Sequence, residues 1–122
     1  MATLTVSTLN HGTGLLDLAG SAVAADAALA DKWLNPNGTT FLYVDNAGAS
    51  PCVVTMVWGA PPAGSYDGNI AAAARTFSVG TGKRALLGPF GPTSLFNDTN
   101  GFANVSYSQV SSVKVLPVQI GS

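Results

Sequence analysis

Residues 39–46 place apolar side chains on both faces of a strand, with Phe41 and Tyr43 pointing one way and Leu42 and Val44 the other. A strand with one wet face alternates apolar and polar residues, so this one needs cover on each side. Further strand-forming runs follow the same short period: residues 52–58, 75–79, 84–88, 102–108 and 113–120. At the start, Thr3, Thr5 and Ser7 alternate with Leu4, Val6 and Thr8, which predicts a strand over 3–9 with one rather polar face.

The punctuation between these runs has identifiable chemistry. In "NPNG" at 35–38, Pro36 fixes φ and Gly38 can take the positive φ of a tight turn. "AGASP" then reverses the chain, predicting a β-hairpin between 39–46 and 52–58. Pro117 lies inside the last run and cannot donate to a ladder, which predicts an edge strand or a bulge there. Leu15, Leu18, Ala25, Leu29 and Trp33 fall near helical spacing, although Gly20-Ser21 interrupts the pattern. A short helix over 24–32 and an Ala-rich loop lying on a sheet are both consistent with it. Residues 59–74 are rich in Gly, Pro and Ala without a sustained period, and read as a peripheral excursion that contacts another chain.

The sum is seven to eight short strands and at most one short helix: an all-β, single-domain β-sandwich or jelly-roll-like barrel over residues 1–122, with 1–11 as an N-terminal arm or strand. The expected core or apolar-interface residues are Phe41, Val44, Val54, Phe77, Leu86, Val105, Tyr107 and Val115.

Composition sharpens the picture of the surface. Charged residues make up only 9% of the 122 residues, against roughly 25% in ordinary globular proteins. The surface is therefore neutral or partly covered by something else. Six acidic residues, all Asp, against five Lys or Arg leave a net charge of -1. No basic field exists to hold phosphates, so no nucleic acid partner is expected. No apolar run approaches the ~18 residues of a spanning helix, and the first residues lack a secretion signal. The expectation is a protein made in a cytoplasm, with no membrane partner. Without such a signal the three sequons, at Asn37, Asn97 and Asn104, carry no weight.

Candidate chemistry is sparse. Cys52 is the only cysteine, which excludes an internal disulfide and a multi-Cys zinc site. His11 is the only histidine and sits in a turn, and no G-x-S-x-G elbow exposes a nucleophile. "GTGKR" at 80–84 has Phe77 and Arg84 where a phosphate loop needs Gly and Ser or Thr, and "DTNG" at 98–101 lacks the later ligands of a calcium loop. The carboxylates of Asp45, Asp67 and Asp98 are dispersed. No enzyme and no cofactor or metal is expected. Trp33, Trp58 and Tyr66 are either core aromatics or anchors of an interface, where Trp and Tyr are enriched. The candidate interface set is Thr3, Leu4, Thr5, Val6 and Ser7 of the first strand together with Trp58 and Tyr66. The first ten residues are expected to add a strand to a neighbouring subunit or to another protein.

Three segments carry a resemblance: "NGTTFLYVDNAGA" at 37–49, "VGTGKRALLGPFGP" at 79–92 and "LFNDTNGFANVSYSQVSSVKVLPVQI" at 95–120. Together, over about two thirds of the chain, they resemble small virion structural proteins of tailed bacteriophages, of the capsid decoration or cement type. The chain departs from the pattern at Pro117 and at Asn46-Ala47 before Gly48. The resemblance implies a structural protein on the capsid surface of a virion, synthesised in the host bacterial cytoplasm. It further implies the major capsid protein as partner and self-association as a homo-oligomer such as a trimer. On that view the uncovered face of 39–58 would be closed by a neighbouring subunit or by the shell. The other reading of the same chain is a tail or baseplate module that recognises a host surface glycan through Trp58, Tyr66 and nearby loops.

Overall fold

The computed structural model describes residues 2–9, 14–57, 75–90, 97 and 100–120. In chain order these contain β1 (Ala2–Leu4), β2 (Ser7–Leu9), a helical turn α1 (Leu18–Ser21), β3 (Val23–Ala24), β4 (Ala30–Leu34), β5 (Phe41–Asn46), β6 (Cys52–Val57), β7 (Arg75–Val79), β8 (Lys83–Leu87), β9 (Phe102–Tyr107) and β10 (Val113–Ile120). The strands form two sheets of an all-β, sandwich-like domain. The first runs β1-β4-β9-β6-β7 and the second β2-β10-β5-β8, with β3 beside β2 along β10.

Period-two alternation explains the core directly. Trp33 from β4, Val54 and Met56 from β6, and Ala103 and Val105 from β9 face Leu42 and Val44 from β5 and Val113 and Val115 from β10, all buried. Five of the residues expected in the core from the sequence, Val44, Val54, Val105, Tyr107 and Val115, are there. Phe77 packs against it half-buried and Phe41 is also half-buried. Leu86 is 57% exposed, because its register opposite Tyr43 turns it to the outer face of the second sheet.

Several local expectations are overturned by sheet assignment. β5 and β6 are not a hairpin, since they lie in different sheets and the intervening link crosses the sandwich. Asn46 organises that crossing: its Nδ2 donates to the carbonyls of Ser50 and Val79 at 2.9 Å each, and its Oδ1 accepts from the Gly48 N–H at 3.0 Å. Gly48 is required there because a Cβ would strike the carbonyl oxygen of Ser111. β10 is not an edge strand either. It pairs with β5 on one side and with β3 and β2 on the other, but β3 reaches only Lys114 and Val115 and β2 only Val118 onward. Leu116 and Pro117 fall in the gap between them, so the missing proline N–H interrupts no ladder on that side.

Residues 24–32, for which a short helix and an Ala-rich loop were both consistent with the sequence, are the end of β3, a turn and the start of β4. Leu29 takes a φ of 66° in that turn, and its carbonyl accepts from the Tyr107 N–H at 2.8 Å. Asp31 and Trp33 then alternate inward, a period that a helix would scramble. The only helical turn among the described residues is α1, whose N-cap Asp17 accepts from the Gly20 N–H at 3.0 Å.

A buried polar network closes one end of the sandwich. Trp33 Nε1 donates to Thr40 Oγ1 at 2.9 Å, Thr40 Oγ1 donates to Asn35 Oδ1 at 2.7 Å, and Asn35 Nδ2 donates to the Phe90 carbonyl at 2.6 Å and to Asn97 Oδ1 at 2.8 Å. Phe90 also packs edge-on against Trp33, with ring centroids 4.9 Å apart. Thr40, Phe90 and Asn97 come from the three segments that carried the phage-protein resemblance. In this chain those motif residues hold the fold together.

Candidate interaction surface

The second, apolar face of β5 is covered largely from within the chain. Tyr43 packs with Leu116 and Val118 in a small buried cluster, and Leu16, Leu18 and Ala22 from the segment around α1 lie against it. This arch answers at Tyr43 the cover that the sequence demanded and that was expected from another subunit. The physical reason is local: Asp17 caps a turn too short to stand alone, and the turn is held by burying its apolar residues on the sheet.

The cover stops short of Phe41. An apolar groove of about 400 Å³ opens there, lined by Leu9, Leu15, Leu16, Phe41, Leu86 and Val118 among others. Leu15 is 80% exposed and Leu86 57% exposed beside it. A second recess, of about 380 Å³, shares Phe41 with Gly38, Thr39 and Pro89. Phe41 thus sits between two open apolar recesses on one face.

A charged row borders this surface. Asp45 pairs in register with Arg84 on one side and Lys114 on the other, on the same outer face as Tyr43 and Phe41. Arg84 Nε stands 3.5 Å from Asp45 Oδ2, with the Arg84 side chain 67% exposed, so the contact is solvent-screened and the guanidinium remains accessible.

The N-terminal residues named from sequence behave differently from one another. The strand expected over 3–9 is split, with β1 pairing parallel to β4 and β2 parallel to β10, so the chain changes sheets at Thr5 and Val6. Leu4 is a core residue at 8% exposure and Val6 packs against the core, whereas Thr3 and Thr5 are exposed and Ser7 is half-buried. Thr3, Leu4, Thr5 and Val6 line a cleft of about 460 Å³ with Leu34, Pro36 and Gln119. The backbone of 2–9 is therefore part of its own sandwich, and what faces outward is the margin of that cleft. Trp58 and Tyr66, the excursion over 59–74 and His11 lie outside the described residues.

Among the described residues the buried titratable groups with shifted pKa are the Asp31–Tyr107 pair and Cys52. Asp31 is buried, its Oδ2 accepts from the Tyr107 hydroxyl at 2.8 Å and from the Asp26 N–H at 3.3 Å, and its Oδ1 is buried without a hydrogen-bond partner among the described residues. Burial pushes the carboxyl above its ordinary range despite these two donors, which favours the protonated acid. Tyr107 is pushed up as well, by burial first and by the neighbouring carboxylate second. Burial likewise raises the Cys52 thiol, which donates to the Gln109 carbonyl at 3.3 Å. The arrangement ties β4 to β9 and presents no nucleophile to solvent. Among the described residues no group of three or more His, Cys, Asp or Glu is placed to hold a metal ion, and no helix is long and apolar enough to cross a membrane.

No protein-family model, curated protein or solved structure matches the chain.

Proposed function

We propose that the protein is a structural binding domain rather than an enzyme, and that it decorates the head of a tailed bacteriophage by binding across junctions between major capsid protein subunits. The observation that carries this reading is the apolar groove around Phe41 and Leu86, on the outer face of a sheet whose Tyr43, Leu116 and Val118 are covered by the chain itself. An exposed apolar patch rimmed by polar residues marks an interaction site. The low charge content agrees with a surface given over in part to contacts. The choice of a phage head comes from the sequence resemblance, and self-association into a homo-oligomer such as a trimer belongs to the same reading.

The test is to count the protein in purified virions of the phage that encodes it and to add recombinant protein to heads lacking it. Hundreds of copies and saturable rebinding to heads are expected. A few dozen copies that remain with isolated tails would reject decoration in favour of a tail component.

A further inference from the structure

β8 is an edge: in the second sheet it pairs only with β5, and among the described residues nothing pairs with its other side. Its side chains are segregated along that edge. On the outer face Arg84 is followed two residues later by Leu86, which enters the wall of the groove. Lys83 is exposed at the strand's start. An edge strand offers unpaired main-chain groups to any extended segment, and flanking cations are a usual device against indiscriminate pairing.

The charges decide which occupant fits. An antiparallel pair of two β8 strands centred on Ala85 would set Lys83 opposite Leu87 and Arg84 opposite Leu86, so no charge meets an opposite one. A parallel pair in register would set like charges together. Neither arrangement offers Arg84 an opposite charge across this edge, so a second copy of this chain lacks the complement that another protein can supply. We infer that β8 accepts an extended segment of another protein, added as a fifth strand alongside β2-β10-β5-β8, with an acidic side chain facing Arg84 and an apolar side chain two residues away facing Leu86 and the groove. Main-chain hydrogen bonds supply the attachment, and the two alternate side chains supply the choice of partner. The two-residue step matches the spacing of successive side chains on one face of a strand. This inference rests on the reading of the outer face as a docking surface and specifies what docks.

The test uses the full chain and three capped seven-residue peptides of Thr and Val, carrying Glu and Leu two residues apart, or Lys in place of Glu, or the Glu sequence N-methylated at alternate residues. Titration to millimolar peptide is followed by amide chemical shifts. The Glu peptide is expected to move the amides of Lys83–Leu87 and of Phe41, the Lys peptide to bind roughly two- to fivefold more weakly, and the N-methylated peptide to do nothing. Arg84→Glu should invert the preference between the Glu and Lys peptides. Absence of binding, equal response to both charges, shifts confined to other strands, or a dimer of the free protein formed through β8 would each overturn the inference. Rebinding to heads is scored separately, so heads that take up the protein while the peptides fail would remove this segment and leave the capsid reading standing.

Discussion

The two sheets of the sandwich share one core yet treat their outer faces in opposite ways. The outer face of the first sheet carries Thr3, Lys32, Thr55, Thr76, Ser78, Asn104 and Ser106, with Leu34, Val53 and Phe102 scattered among them and Lys32 Nζ 4.7 Å from the Phe102 ring centroid. The second carries Phe41, Tyr43, Leu86, Leu116 and Val118, part of it under the α1 arch and part of it open. A sheet face dominated by hydroxyl and amide side chains needs no apolar cover. An apolar one has to be covered, and here the chain covers the centre and leaves the margin. The difference separates apolar residues that the chain covers from apolar residues that it leaves open.

The shared core sets the scale for breaking both faces at once. Trp33→Ala removes a fully buried indole, its hydrogen bond to Thr40 and its contact with Phe90. A loss of about 3 to 5 kcal/mol is expected in denaturant unfolding, with both sheets melting together. Tyr43→Ala comes next, at about 3 kcal/mol. It should also raise hydrogen exchange in α1, because the arch loses the ring it packs on. If exchange in α1 stays unchanged, the arch is held by something other than this face.

A third experiment probes the inner side of the first sheet by pH. The folded-state pKa of Asp31 lies above its unfolded value, so the native state binds more protons than the unfolded chain in that window. Stability contributed by the protonated acid is therefore full below the unfolded value near 3.8 and is lost as pH rises through the raised folded value. Asp31→Asn should flatten this dependence and leave the protein at least as stable at neutral pH. An unchanged slope in that variant would assign the dependence to another group.

The smallest expected changes in stability are the most telling for the comparison. Thr55→Val on the first sheet and Leu86→Ser on the second should each move stability by no more than about 0.5 kcal/mol. Only Leu86→Ser should weaken attachment to a partner. Equal weakening by both would erase the functional distinction between the faces.

Much of the secondary structure was legible from local pattern. The runs read as strands at 75–79, 102–108 and 113–120 correspond to β7 (Arg75–Val79), β9 (Phe102–Tyr107) and β10 (Val113–Ile120), and Gly38 has the positive φ of 67° that the "NPNG" turn implied. The doubly apolar character of β5 was visible too, and with it the need for cover on a second side. The candidate surface was less legible, since Leu86 reads like any strand hydrophobe and Leu4 like an alternating residue of an arm. Their opposite fates depend on register and on which sheet each strand joins.

Alternation and turn chemistry are properties of neighbours along the chain, and for that reason the sequence by itself determined the strands from β5 to β10, the "NPNG" turn and the all-β class, but not β3, β4 or the break between β1 and β2. Sheet membership is different, because it rests on contacts between distant residues. Tertiary structure alone sent β5 and β6 into different sheets, with Asn46 tying the crossing to Ser50 and Val79. It placed Pro117 in the gap between β3 and β2. It also laid residues 16–22 over Tyr43 and left Phe41 and Leu86 open. A run of apolar residues states how much surface must be buried, and only packing decides which of it remains for another molecule.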